Sequence, residues 1–198
     1  MKTSVATVTL VGMSPLSHSR QHDDPWLDGE RPEDYDNRTW RSKLNVGVRD
    51  GKPTVVHPAH GILQCFASGA RYSKRKIEGQ GQATWTAKFE AGLAVLEDPA
   101  LNIDPETVVG VTISCNVDGV RGSGKRVPRK FPVMPVWETT FDVLILDPII
   151  TETIFREMVE IAGLYVGLGR FRPGKGGTNG RFALKKLVWA DNRQLLAA

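Results

Sequence analysis

Glycine and basic residues dominate the segment from Gly167 to Phe182, which holds six glycines, four basic residues and no acidic residue. Glycine lets backbone N–H groups approach a phosphate closely, and arginine can hold a phosphate through two parallel hydrogen bonds. The pattern therefore predicts binding to a polyanion. The alternative is a flexible connection with solvated arginines, although such a connection needs only a few residues. The residues predicted to bind are Arg170, Arg172, Lys175, Gly176, Gly177 and Arg181.

The position of this segment argues against a nucleotide-binding P-loop, which follows a strand and precedes a helix. Here the predicted helix comes first, from Thr151 to Gly167, and the predicted strand Phe182 to Trp189 follows. The sequence also contains no CxxC or HExxH motif and no serine nucleophile elbow. We therefore predict no metal site, no cofactor and no assigned catalytic residue.

Two further basic segments have the composition of nucleic-acid contacts. One is rich in glycine and runs from Asp118 to Pro135, and a solvated hairpin tip is its alternative interpretation. The other places a basic cluster ahead of aromatic residues that would stack on bases, or that would instead hold a loop down. The residues concerned are Arg121, Lys125, Arg126, Arg129 and Lys130 in the first segment, and Lys74, Arg75, Lys76 and Trp85 in the second.

The histidines give a weaker signal. His18, His22 and the pair Asp23–Asp24 could bind a metal or act as general acid and base on RNA, but a polar loop of this composition is more often simply solvated. His57 and His60 flank the start of a predicted helix, where capping or core packing is the better interpretation.

The amino-acid composition limits the classes of protein to which this chain can belong. The 198 residues are 40% apolar and 24% charged, which predicts one globular domain over residues 1–198. No stretch approaches the roughly 18 apolar residues of a membrane span, and Cys65 and Cys115 are expected as free thiols in a reducing cytoplasm. The net charge of +4 is segregated, with seven acidic residues between Asp23 and Asp36. Segregated charge favours a polyanion partner.

The order of the predicted elements indicates an α+β fold with a ferredoxin-like or RRM-like core. It has a long loop after the first strand and an irregular insertion over residues 77–107. The predicted elements are the strand Ser4 to Val11, the hairpin Leu44 to Val56 with Asp50-Gly51 at its turn, the helix Ala59 to Tyr72, the strands Val108 to Val117 and Trp137 to Leu146, and the last helix and strand given above.

Three places in this pattern resemble the RAMP superfamily, the ferredoxin-like RNA-binding proteins of CRISPR effector complexes. The first is the strand and Ser-Pro-Leu turn from Val8 to Leu16. The second is the strand, proline and helix from Val55 to Leu63, with a small-residue end at Gly69-Ala70-Arg71. The third is the glycine-rich segment before the last strand.

The chain is most similar to the backbone subunits that polymerise along a guide RNA in antiviral defence. The resemblance implies RNA-backbone contacts by the basic loops and a thumb-like inserted segment, Ile77 to Pro99, that splays bases. It also implies head-to-tail self-association into a ribonucleoprotein filament. A phage-borne relative with RNA or single-stranded DNA as ligand fits the same residues.

Three hypotheses follow. The first is a non-catalytic, self-assembling protein that binds single-stranded nucleic acid, most simply RNA, in the cytoplasm. The second is a RAMP-family endoribonuclease that uses His18, His22 or Asp23–Asp24. The third is a viral interaction module with the acidic segment Asp23 to Asp36 as its contact surface.

Overall fold

The computed structural model describes residues 3–116 and 124–191. The strands within these ranges are β1 (Ser4–Gly12), β2 (Leu16–Ser17), β3 (Val46–Arg49), β4 (Lys52–Val55), β5 (Leu93–Ala94), β6 (Val109–Asn116), β7 (Arg126–Met134), β8 (Glu138–Ile145) and β9 (Phe182–Asp191). The α-helices are α1 (Pro32–Thr39), α2 (Ala59–Ser73), α3 (Thr86–Ala91) and α4 (Glu152–Ile161), and a π-helical turn, Ala162–Val166, continues α4.

The central sheet has the order β5-β8-β1-β9, and every neighbouring pair is antiparallel. Helices α2 and α4 pack against each other, and Phe66 of α2 and Phe155 of α4 meet edge to face at the centre of the core. The order β1, α2, β5, β8, α4, β9 is the β-α-β-β-α-β order expected from the sequence. The α+β prediction is confirmed.

The second strand of this unit differs from the one expected. The sequence favoured Val108 to Val117, but the two-residue strand β5 takes the place beside β8. The longer strand, β6, belongs to a separate sheet of order β2-β7-β6. An alternating pattern predicts a strand but does not identify its partner, because pairing depends on which surfaces are buried together.

Strand β7 was wrongly expected to be loop. Pro128 and Pro132 weaken the strand signal because proline cannot donate to a ladder. In the structure β2 pairs only with Val133 and Met134, so both prolines lie where β7 has β6 as its single paired neighbour. Arg126, Arg129 and Lys130 consequently stand on a strand rather than in a flexible loop.

The long loop after the first strand contains structure that the sequence did not reveal. Helix α1 begins with Pro32 in its first turn, followed by Glu33 and Asp34, which suit the positive end of a helix. Only Asp36 and Thr39 of this helix are buried, so the sequence has no apolar periodicity from which the helix could be predicted. Residues 23–36, with α1, form a folded acidic lobe in which Trp26 stacks on Tyr35 at 4.0 Å.

The segment expected as a thumb-like insertion supplies part of the core. Ile77, Trp85, Phe89 and Leu93 are all buried, and Phe89 stacks on Phe155. Trp85 is 5% exposed, so in this structure its ring packs in the core and does not face solvent as base stacking requires. Within the described residues, no helix is long and apolar enough to cross a membrane.

Candidate nucleic-acid interface

A groove of about 720 Å³ opens between three segments of the chain. Residues 18–21 follow β2, residues 57–68 include the first half of α2, and residues 166–172 begin the glycine-rich loop. Arg20, Arg170 and Arg172 line the groove, and none of its lining residues is acidic. The three segments adjoin the three places where the sequence resembles RAMP proteins.

Backbone hydrogen bonds hold the glycine-rich loop against the first turn of the chain. Leu168 N–H donates to Gly180 at 2.9 Å, Gly180 N–H donates to Pro15 at 2.8 Å, and Arg170 N–H donates to Ser17 at 2.7 Å. Gly180 has a φ of +73°, and a Cβ there would overlap the Leu168 backbone. The loop is therefore a fixed wall of the groove rather than a flexible connection.

A buried thiol joins this wall to α2. Burial raises the pKa of Cys65 to about 12, so the side chain stays protonated. Its Sγ–H donates to the Gly167 carbonyl at 3.3 Å. Cys65 and Cys115 are both free, and only Cys65 is fully buried.

The glycines act differently from the expectation that their amides cradle a phosphate. Gly176 N–H donates to Pro173 at 2.8 Å, and Gly177 N–H donates to Arg172 at 3.1 Å. A Cβ on Gly177 would also overlap the Phe171 carbonyl. These two amides already have acceptors, so Gly176 and Gly177 shape the loop and do not offer free donors.

Arg170 and Arg172 occupy different environments. The Arg170 guanidinium lies 3.5 Å from the Phe131 ring centroid and 4.5 Å from that of Phe171, and burial lowers its pKa without making it neutral at physiological pH. It also donates to Ser19 Oγ at 3.1 Å, so Arg170 joins the loop both to β7 and to the segment after β2. Arg172 donates one Nη1–H to Gly169 at 3.0 Å, and its other N–H groups make no hydrogen bond among the described residues.

The other basic residues predicted to bind lie outside the lining of the groove. Lys175 is exposed, and Arg181 is half-buried with its Nε–H donated to Leu164. Arg121 lies outside the described residues, whereas Lys125 and Arg126 are exposed where β7 begins. Arg129 pairs with Asp36 at 3.4 Å, and Lys130 lies over Trp40 at 5.5 Å.

The basic cluster Lys74, Arg75 and Lys76 is at the opposite end of α2 from the groove. Fifteen residues of helix separate the two ends by about 20 Å. Arg75 forms an ion pair with Glu157 of α4, and Lys74 and Lys76 are exposed. The structure therefore does not bring this cluster to the glycine-rich loop.

The histidines are divided between two environments. His18 Nε2 and His57 Nδ1 are 3.2 Å apart in the buried floor of the groove, and His60 is exposed at its edge. Burial lowers the pKa of His18 to about 4, and burial with nearby positive charge lowers that of His57 to about 3. His18 is thus not the solvated loop residue that the sequence favoured.

His22 belongs to the acidic lobe instead. Its Nδ1 is 3.0 Å from Asp24 Oδ2, and its ring stacks on Tyr35. It does not line the groove, so the residues considered for catalysis are not assembled into one site. Among the described residues, no cluster of three or more histidine, cysteine or acidic side chains could hold a metal.

Sequence reasoning missed several groove residues. Arg20 stands in a polar stretch with no local pattern, and Asn45, Gln64 and Ser68 are single polar residues on different elements. Only the folded chain shows that they face one another. Gln64 was detectable in part, because it lies on the helical face away from Ile62 and Phe66.

The face of the central sheet opposite the helices is a poor platform for bases. Thr7 donates to Asp142 at 2.6 Å across β1 and β8, and Thr9 faces Thr140 at 2.9 Å. RRM domains stack bases on aromatic side chains of such a face. The described residues of β1, β8 and β9 place no aromatic side chain there, so the groove is the better candidate.

No protein-family model matches the chain, and no curated protein matches it. Among solved structures, a subunit in the cryo-EM structure of the type III-B Cmr-beta complex bound to cognate target RNA aligns with a TM-score of 0.55 and 16% identity. The alignment covers 96% of this chain and 61% of that subunit. This chain therefore spans about three fifths of the length of the subunit it matches.

Two further solved structures align less closely. Cmr6 from Pyrococcus furiosus has a TM-score of 0.46 at 14% identity, with 92% of this chain and 98% of that chain covered. A chain of a CRISPR RNA-guided surveillance complex has a TM-score of 0.34 at 10% identity, with 91% and 66% covered. The first alignment, together with the observed order of elements, confirms that this chain has a RAMP-like α+β fold.

Proposed function

We propose that this chain binds single-stranded RNA as a subunit of a CRISPR-type ribonucleoprotein. The observation that carries the proposal is the groove with three arginines and no acidic lining residue. Such a surface attracts a phosphodiester backbone. The Cmr-beta structure with the same fold is bound to RNA, which supports this class of ligand.

Single-stranded RNA fits the groove better than a duplex because the lining combines charge with polar side chains. Asn45, Gln64 and Ser68 carry amide and hydroxyl groups that can pair with the edges of unstacked bases. Sequence-reading proteins use such contacts on single strands, whose base edges are accessible. The arginines would hold the backbone while the amides contact the bases.

Replacing Arg20 and Arg172 together with alanine should weaken RNA binding by about a hundredfold, because each removes one charge-assisted hydrogen bond worth about tenfold in affinity. The dependence of log affinity on log salt should also fall, by about 0.7 for each phosphate of a single strand that the variant no longer neutralises. Fluorescence anisotropy with a labelled single-stranded RNA measures both quantities. Arg170 is left intact because it also supports the loop.

Lys52→Ala provides the matched control, since Lys52 is exposed on the β3–β4 hairpin away from the groove. This variant should bind as the unmodified protein does. Equal affinity of the double variant and the control would refute the groove assignment. Cleavage of the labelled RNA that EDTA or a His22→Ala substitution abolishes would instead favour the endoribonuclease.

We further propose that copies of the chain assemble head to tail through opposite charges. The acidic lobe exposes Trp26 and Leu27 beside Asp23 and Asp28, whereas the far end of α2 exposes Lys74 and Lys76. The two surfaces are formed by different segments of the chain, residues 23–36 and the C-terminal end of α2. A contact between two different surfaces of one chain generates an open filament unless its rotation closes a ring.

Reversing the charge on either surface should abolish self-association measured by light scattering during size-exclusion chromatography. The variants are Asp23→Lys with Asp28→Lys, and Lys74→Glu with Lys76→Glu. Mixing the two should restore assembly with the variants alternating, because each lobe then meets an α2 end of opposite charge, whereas copies of one variant repel each other. Lys52→Glu, on the exposed β3–β4 hairpin outside both surfaces, is the control, and oligomers that persist in both variants would refute this interface.

A further inference from the structure

The floor of the groove contains a hydrogen-bonded pair of histidines that contributes no charge to it. His57 is 4% exposed, lies just before α2, and lines the groove together with Gly61 and Arg172. His18 Nε2 is 3.2 Å from His57 Nδ1. Buried polar groups are as a rule hydrogen-bonded, and the direction of this hydrogen bond depends on which nitrogen of each neutral ring carries the proton.

A backbone amide fixes the direction of the pair. Asn45 N–H donates to His18 Nδ1 at 3.5 Å, so that nitrogen accepts and the proton of the neutral ring is on Nε2. His18 Nε2–H then donates to His57 Nδ1, which places the proton of His57 on its own Nε2. Among the described residues no hydrogen-bond partner faces this last N–H.

The N–H of His57 is directed at the first turn of α2. A Cβ on Gly61 would lie 3.2 Å from His57 Nε2, so the absence of a side chain leaves that nitrogen uncovered. Pro58 gives the helix no side-chain cap, and His60 N–H has no partner among the described residues. The first amides of a helix are ready donors to an anion, and the helix dipole adds positive potential.

Only one carboxylate among the described residues reaches this end of α2. Asp98 Oδ1 accepts from Ala59 N–H at 2.8 Å, and Asp98 does not line the groove. On the groove side the charge near His57 is that of Arg172, which also contributes to lowering the pKa of His57. The imidazole, the first turn of the helix and the arginine therefore supply neutral and cationic donors to the same groove.

We propose that this point, between His57 Nε2, Gly61 and the Arg172 guanidinium, binds one phosphate of the nucleic-acid strand. The proposal rests on the proposed function for the identity of the strand, but the subsite itself requires only a phosphate. A phosphate has several acceptor oxygens and can receive the imidazole, amide and guanidinium N–H groups together. The imidazole acts as a hydrogen-bond donor and takes no part in proton transfer.

Titration with inorganic phosphate tests the subsite directly. In the unmodified protein the His57 Nε2–H signal of a ¹H–¹⁵N spectrum should shift and saturate, and the same concentration of chloride at matched ionic strength should not move it. Gly61→Ala should weaken phosphate binding at least tenfold, because the new methyl group covers Nε2. The RNA affinity of this variant should also fall, and the dependence of log affinity on log salt should decrease by about 0.7.

Gly61→Ala is a mild change to the fold, since alanine is favoured over glycine in a helix by up to about 1 kcal/mol. Its melting temperature is measured alongside, and Lys52→Ala, at an exposed position outside the groove, should leave phosphate binding unchanged. A non-saturating shift in the unmodified protein overturns the subsite whatever the variant does. If Gly61→Ala binds RNA as tightly as the unmodified protein, the subsite is refuted and the proposed function stands. If the unmodified protein binds phosphate saturably but does not bind RNA, the proposed function is refuted and the subsite stands.

Discussion

Acidification from pH 7 to pH 4 should lower the free energy of unfolding by on the order of 5 kcal/mol through two histidines alone. The pKa of His18 is lowered to about 4 and that of His57 to about 3, against 6.5 for an unperturbed histidine. The unfolded chain therefore binds more protons below pH 6.5, and stability is lost as the pH falls towards the folded-state pKa values. Denaturant unfolding at a series of pH values measures the loss.

The informative window is pH 6.5 to 5. The carboxyl groups of Glu30, Asp34 and Asp191 have lowered pKa values, so they remain ionised there and contribute at lower pH. Two buried histidines give a slope of up to about 2.7 kcal/mol per pH unit. His18→Gln should remove about half of that slope, and His60→Gln, at an exposed position, should not change it. A flat profile in this window would contradict the buried neutral pair.

Asp36→Ala should destabilise the protein by about 3–5 kcal/mol, because it leaves a buried lysine without its partner. Lys43 Nζ donates to Asp36 Oδ1 at 2.6 Å and to the Lys130 carbonyl at 2.8 Å. Both charged side chains are at most 10% exposed, and Arg129 also contacts Asp36. Thermal and denaturant unfolding measure the effect.

Asp34→Ala is the matched control, because Asp34 pairs with Arg31 at the surface of the same helix and should change stability little. The double variant Asp36→Leu with Lys43→Met should restore most of the stability, since replacing a buried ion pair with apolar groups is often neutral. If Asp36→Ala unfolds no more readily than Asp34→Ala, the pair does not hold the acidic lobe to β7.

The sequence was most informative where one element carries the whole signal. Asp50 and Gly51 have φ values of 51° and 73° in the β3–β4 turn, as a tight Asp-Gly hairpin requires. Helix α2 was expected over Ala59 to Tyr72 and spans Ala59–Ser73. In both cases local backbone preference and apolar spacing act over a few neighbouring residues, so the local sequence was enough to predict the element.

The site was only partly predictable for a related reason. Arg170 and Arg172 were both identified from composition, but composition cannot distinguish an arginine packed on two phenylalanine rings from one with a single hydrogen bond. Arg20 was missed because its relation to Arg172 exists only after β2 and the glycine-rich loop have packed together. The burial of Trp85 could not be predicted, because an aromatic residue near lysines suits a surface and a core equally well.

The order of the elements, the free thiols and the basic character of the glycine-rich segment can all be read from the amino-acid sequence. Packing of the folded chain was needed to establish which strand lies beside β8, which arginines face the groove, and that His18 and His57 meet across 39 residues of chain. The first group follows from local preferences and composition. The features in the second group depend on which apolar surfaces are buried against each other, and this burial is a property of the whole packed chain.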